Sequence, residues 1–190
     1  MTEISDVSIC NMALGHIGDQ RITSLDDNTE AAKACNAFYA ILRDEVTQAY
    51  PWNFAITRVN LASTATVPVY EYTNTFNLPT NPWCLRVLEV QDFTEREWTV
   101  EGRKLLVNAS SVNIRYIKRL ENPGDMTPLF ASALSLRLAA SLAVRLTEDL
   151  KKQAQMWKLY TAVRREARIA DSQEGAPPVI KSTVFAEARS

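Results

Sequence analysis

Residues 111–146 read SVNIRYIKRLENPGDMTPLFASALSLRLAASLAVRL, and the period of the apolar residues changes within them. In VNIRYIKRL, Val112, Ile114, Tyr116 and Ile117 are mixed with Asn113, Arg115 and Lys118, the near-alternation of a half-buried strand. Pro123-Gly124 then punctuates the chain. Asp125 or Thr127 offers an N-cap, with Pro128 in the first turn, where its missing N–H costs nothing. From about 127 to 147 the residues are apolar almost all round, which predicts a helix surrounded by others. The stretch is nearly long enough to span a membrane, but it contains Arg137, Arg145 and serines. Each arginine would cost about 2.5–3.5 kcal/mol at the centre of a bilayer. A buried helix of a soluble, cytoplasmically made protein is the expectation.

Upstream, residues 52–122 carry Thr, Val, Tyr and Asn, with prolines at 68, 79 and 82. Short β-type runs occupy 54–61, 69–78, 84–92, 96–100, 104–108 and 111–119. Glu101-Gly102-Arg103 reads as a hairpin turn between WTV and LLV. A mostly antiparallel sheet or small barrel is expected. Before Pro51, residues 28–50 have helical period, with Ala31, Ala34, Cys35, Phe38, Ile41, Leu42, Val46 and Ala49 on one face. Asp27 is the expected N-cap, with Glu30 completing a capping box. Residues 3–17 form a first helix through Ile4, Val7, Cys10 or Asn11, Leu14 and Ile17, stopped by Gly18. Downstream, a fourth helix spans about 148–171, along Ala154, Trp157, Tyr160 or Thr161, Arg164 and Ala167. No helix runs through Pro177-Pro178, so the tail reads as extended.

The fold class is therefore α+β, mainly α: an antiparallel bundle of four main helices, a β-rich insertion between helices two and three, and an extended C-terminal arm. Residues 1–51 and 123–172 form the bundle, 52–122 the inserted subdomain, and 173–190 the arm. Short connections at 19–27 and 147–149 imply antiparallel neighbours within each helix pair.

Composition argues against most chemistry. The 190 residues carry 21 basic and 22 acidic side chains, so no global charge calls for nucleic acid or membrane. The acidic start MTEISDVSIC is not a secretory leader. The three cysteines, Cys10, Cys35 and Cys84, form no CxxC pair, and the first two sit on apolar faces, which suits a reducing compartment. A single histidine, His16, leaves little for a metal site, and as a helix-end residue it has no visible orienting partner. Five glycines and no phosphate-loop pattern argue against nucleotide binding. Asp26-Asp27 reads as a cap and a dipole partner, Asp44-Glu45 and Glu148-Asp149 as solvated faces. No catalytic, cofactor-binding or metal-binding residue is assigned.

Two segments read as partner-binding. Lys151, Lys152, Lys158, Arg164, Arg165 and Arg168 make the fourth helix basic, although the spacing looks scattered around it. An acidic protein partner and DNA are both open readings, beside a solvated face. In the tail, Val179, Ile180, Val184 and Phe185 lie in VIKSTVF beyond the Pro-Pro break, a segment fit for strand addition or pocket insertion. Trp52, Trp83, Trp98 and Trp157 read as core or subunit-interface residues.

The first fifty-five residues are more specific. Asn11-Met12-Ala13-Leu14-Gly15-His16-Ile17-Gly18 is followed by Ile22, Ser24-Leu25-Asp26-Asp27 and Thr29-Glu30-Ala31-Ala32-Lys33-Ala34-Cys35-Asn36. Tyr39, Arg43-Asp44-Glu45 and Tyr50-Pro51-Trp52-Asn53-Phe54-Ala55 complete the pattern, and Leu78-Pro79 with Cys84-Leu85-Arg86-Val87-Leu88 extends it. This resembles the head–tail adaptor (connector) family of tailed bacteriophages, in particular the tail tubular protein A group. The resemblance implies a structural virion protein at the head–tail junction, assembled in the host cytoplasm. It implies a homo-oligomeric ring, usually of about twelve subunits. The ring would join the portal protein to a tail or nozzle protein and line the channel through which genomic DNA leaves, without sequence-specific binding. It implies no enzyme, no cofactor and no membrane. The basic residues of the fourth helix would then meet the portal and point away from the lumen, where they would hold DNA phosphates and slow its passage. The rivals are a tail-associated cell-wall hydrolase using Asp26, Asp27 or Glu45, and a DNA-binding module using the basic helix 150–168.

Overall fold

The computed structural model describes residues 4–174. The expected arm residues Val179, Ile180, Val184 and Phe185 lie outside the described residues.

Helix α1, Asp6–Ile17, begins where Ser5 and Ser8 cap each other: Ser8 N–H donates to Ser5 Oγ (3.2 Å), and Ser5 N–H to Ser8 Oγ (2.8 Å). That reciprocal pair satisfies two orphan donors and moves the start from the expected residue 3 to residue 6. Gly18 ends the helix in the left-handed region, φ 78°, as expected. Asn11 lies off the buried face and grips the connector instead. Its carboxamide accepts Ile22 N–H (2.8 Å) and donates to Ile22 C=O (2.9 Å).

Helix α2, Glu30–Gln48, is capped by Thr29, whose Oγ1 accepts Ala32 N–H at 3.1 Å. Asp27 is not the cap. Its carboxylate is occupied by Thr23 N–H, Thr23 Oγ1–H and Ser24 N–H at 2.8–3.0 Å, which closes the preceding turn. Two competent capping residues stand two positions apart, and the turn takes the first. Ile41, placed on the apolar face by period alone, is 68% exposed.

Residues 56–118 form two sheets rather than one sheet or a barrel. Strands β1 (Ile56–Ala62), β3 (Cys84–Val90) and β6 (Ser111–Lys118) make one antiparallel sheet in the order β1-β6-β3. Strands β2 (Asn74–Asn77), β4 (Trp98–Glu101) and β5 (Lys104–Val107) make the other, in the order β2-β5-β4. The β4–β5 turn has Gly102 and Arg103 both at positive φ, 51° and 64°, matching the twist of a two-residue hairpin. Phe76, Leu105 and Val107 pack with Val112, Ile114 and Tyr116 between the two sheets.

Helix α3, Pro128–Thr147, is capped by Thr127, with Pro128 in its first turn. It is long and apolar enough to cross a membrane, but it packs against α1, α2 and α4 (Leu150–Gln173), and its buried residues run from Phe130 to Ala143. Glu45 pairs with Arg137 (2.9 Å) and Glu30 with Arg145 (3.7 Å), so α2 and α3 run in opposite senses. The helices share a second apolar cluster that includes Trp52, Ile117 and Leu120. Trp52 is fully buried; its Nε1–H donates to Val46 C=O at 3.1 Å, and its ring meets Phe130 edge-on at 5.2 Å. The described residues form an α+β fold of four α-helices and two small antiparallel sheets.

Candidate functional site

Of the groups weighed for catalysis, Asp27, Glu45 and His16 are tied into structure, while the Asp26 carboxylate is exposed and takes no hydrogen bond or ion pair among the described residues. His16 Nε2 lies 3.4 Å from Ser135 Oγ, but that hydroxyl gives its proton to Ser132 C=O at 2.8 Å. Burial pushes the imidazole below its ordinary pKa, and no carboxylate hydrogen-bonds the ring among the described residues. The three hydrogen bonds at Asp27 hold its carboxyl below the usual range, the state of a turn staple rather than of a general acid. Glu45 is engaged by both Arg137 Nε (3.0 Å) and Nη2 (2.9 Å). The hydrogen bond between Cys10 and Cys35, together with burial, pushes the Cys10 thiol far up; burial pushes Cys84 up to about 11. Neither of these two therefore presents a reactive thiolate. Among the described residues no three His, Cys, Asp or Glu side chains cluster to hold a metal ion.

The outer face of α4 is more informative. The helix buries Met156, Tyr160, Ala167 and Asp171, with Val163 partly covered. Tyr160 and Ala167 belong to the expected face, but Trp157 does not and is 48% exposed. Helical period sets the opposite stripe. Lys151, Lys158 and Arg165 fall on it seven residues apart, so part of the basic set that looks scattered in sequence shares one line. All three are exposed, and none forms an ion pair among the described residues. Trp157, Leu159 and Ile169 flank them and are also exposed.

The other cations of this helix serve the chain itself. Lys152 Nζ donates to Ile17 C=O at 2.8 Å, covering the end of α1. Arg164 lies over Tyr160 (5.1 Å) and Arg168 over Tyr50 (4.9 Å). Of the basic residues of this helix expected to bind a partner, Lys158 and Arg165 are free to do so, while Arg164 and Arg168 are engaged.

A second surface was not singled out from sequence. The β1–β2 connection projects Val67, Val69 and Tyr70, which are 70%, 99% and 79% exposed. Val69 and Tyr70 lie in the run 69–78 expected as a strand, whereas β2 spans only Asn74–Asn77. A row of apolar side chains on a loop tip is the signal that could have marked them.

A third feature joins the β-rich part to the helices. Arg103 stacks 3.7 Å above the Trp83 ring, and Arg119 lies 5.0 Å from the same ring. Arg119 Nε donates to Asp44 Oδ2 at 2.7 Å, and Arg43 holds Asp44 Oδ1 at 3.0 Å. One chain of charges and an aromatic ring thus runs from the β4–β5 turn to α2.

No model of a known protein family matches this chain, and no curated protein matches it.

Proposed function

We propose that the chain is a structural subunit of a head–tail adaptor ring, joining a portal to a tail and lining the DNA exit channel. In this reading the helices form an antiparallel four-helix bundle and the β-rich part faces the tail side. The opposed senses of α2 and α3, and the engaged state of Asp27 and Glu45, support a scaffold over a hydrolase. The observation that carries the reading is the outer face of α4. Lys158 and Arg165 stand in line beside exposed Trp157, Leu159 and Ile169, the mixture of charge and aromatic surface typical of protein interfaces. Such a surface has little use on an isolated subunit and fits a portal or a neighbouring subunit. The arm residues Val179, Ile180, Val184 and Phe185 are proposed to add a further contact.

Native mass spectrometry and electron microscopy of the full chain, alone and with the portal protein, test this. A closed ring is expected, and the double reversal Lys158→Glu and Arg165→Glu should abolish portal attachment or ring closure. A monomer at all concentrations that never binds the portal would overturn the proposal. Truncation after Gly175 should weaken attachment while leaving the helices intact.

A further inference from the structure

The face of the first sheet away from the strand core carries an arrangement that the adaptor reading does not use. Arg58 on β1 and Arg115 on β6 stand opposite each other in the antiparallel register. Like charges at directly opposed positions repel, so the pairing weakens the sheet unless something lies between them. One carboxylate is available: Glu89 on β3 pairs with Arg115 Nη2 at 2.9 Å. Arg58 has no hydrogen bond or ion pair among the described residues, and Arg115 Nε is buried without an acceptor. One carboxylate therefore serves Arg115 alone, and a buried donor is left unsatisfied, a state that costs about 1–3 kcal/mol.

These groups line an open hollow of about 480 Å³ with Asn60, Glu89, Gln91 and Asn113. Its amide wall is fixed. Asn60 on β1 donates to Asn113 on β6 (2.9 Å), and Asn113 donates to Gln91 just past β3 (3.2 Å), so the carboxamides hold one another. No aromatic side chain lines the hollow, which gives bases nothing to stack on.

We propose that this hollow binds a phosphate group. A planar carboxylate is satisfied by one guanidinium fork, but Glu89 takes only Arg115 Nη2 and leaves Arg115 Nε and the Arg58 guanidinium without an acceptor. Two guanidinium groups that line one hollow from paired strands suit a tetrahedral anion with more than two acceptor oxygens. The group is either a single phosphodiester of a nucleic-acid backbone or a free phosphate ion. Binding is independent of base sequence and weakens with salt. Glu89 competes for Arg115 and keeps the affinity modest.

The test uses the full chain, with inorganic phosphate followed by calorimetry and a fluorescent DNA duplex followed by anisotropy at low and raised salt. Arg58→Gln should weaken binding about tenfold, the loss of one charge-assisted contact. Glu89→Gln should strengthen it several-fold, the opposite of what removing a merely structural ion pair would do. Arg58 is exposed, so its variant should keep the parent melting temperature even where Arg115→Gln does not fold. Duplex binding lost with Arg58→Gln assigns the backbone source, and phosphate binding without duplex binding assigns the free ion. Absence of both, binding unchanged in Arg58→Gln, or Arg58-dependent binding of polyglutamate alone would overturn the proposal. The outcome is separable from the adaptor reading. Ring assembly without phosphate binding sinks only the hollow, and phosphate binding by a chain that never assembles sinks only the adaptor.

Discussion

Asp171 offers a test of how the end of α4 is fastened. It lies in the helix's last turn, and only 6% of its surface is exposed. Its carboxylate accepts the backbone N–H of Asn53, at 3.0 Å to one oxygen and 3.3 Å to the other. In return, Asn53 Nδ2 donates to Asp171 C=O at 2.6 Å. Burial raises the carboxyl above its ordinary value and the nearby Glu174 adds to the rise, while the Asn53 bond opposes it. The folded state therefore holds the proton more tightly than the unfolded chain. Stability from this source is fully present below the unfolded pKa, near 3.8, and is lost as the pH rises through the higher folded value. Asp171→Asn keeps an oxygen for Asn53 N–H and removes the buried charge. At neutral pH it should match or exceed the parent in stability. Asp171→Ala leaves Asn53 N–H without its acceptor and should cost about 1–3 kcal/mol. Urea unfolding of the three proteins, from mildly acidic to neutral pH, measures this. The advantage of Asp171→Asn should grow as the pH rises. If Asp171→Asn is as damaging as Asp171→Ala at neutral pH, or its difference from the parent is flat with pH, the reasoning is wrong.

Other outcomes follow from the same geometry. Asp44 bridges Arg43 and Arg119, with 21% of its side chain exposed, so a double-mutant cycle of Asp44→Ala and Arg119→Ala should give a coupling of about 1–2 kcal/mol. A coupling near zero in urea unfolding would show that the bridge holds nothing. Glu148 ends α3 in the left-handed region at φ 53°, where a side chain is strained. Glu148→Gly should raise stability by about 0.5–1 kcal/mol, visible as a higher melting temperature. Val69→Ser with Tyr70→Ser should leave the melting temperature almost unmoved, within about 0.5 kcal/mol, because both side chains already face water. In the adaptor reading the same pair should impair ring assembly or tail attachment, scored by native mass spectrometry.

The elements were largely legible in the sequence because their punctuation is local. Gly18, Pro51, Gly102 and Pro128 act through backbone conformation and Thr127 through a side-chain cap on Phe130 N–H, both of which a sequence displays directly. Faces were harder to read. On α4, mean polarity is high, and Trp157 and Tyr160 fit two different stripes; contact with α3 chose the one through Met156 and Tyr160. The cap of α2 went to Thr29 because Asp27 had nearer donors at Thr23 and Ser24. The opposed pair of Arg58 and Arg115 is a matter of register between strands more than fifty residues apart, and no local pattern carries it.

Strand β6 shows how an apparent flaw in a pattern can carry tertiary information. Val112, Ile114 and Tyr116 face the strand core, as alternation requires. Asn113, Arg115 and Ile117 share the other face, so Ile117 breaks the polar series where a polar residue would complete an exposed sheet. Ile117 belongs to the helical core, and Leu85 and Leu88 of β3 pack against the same cluster. The helices therefore cover one end of this face and leave the end with Asn60, Asn113 and Arg115 open. The switch from arginine to isoleucine within two residues marks the edge of that cover. Beyond the covered end, Arg119 lies over Trp83 and donates to Asp44, which ties the sheet to α2. Arg115 thus sits two residues from Ile117, which the helical core holds, so an anion proposed at Arg58 and Arg115 would meet paired strands rather than a loop.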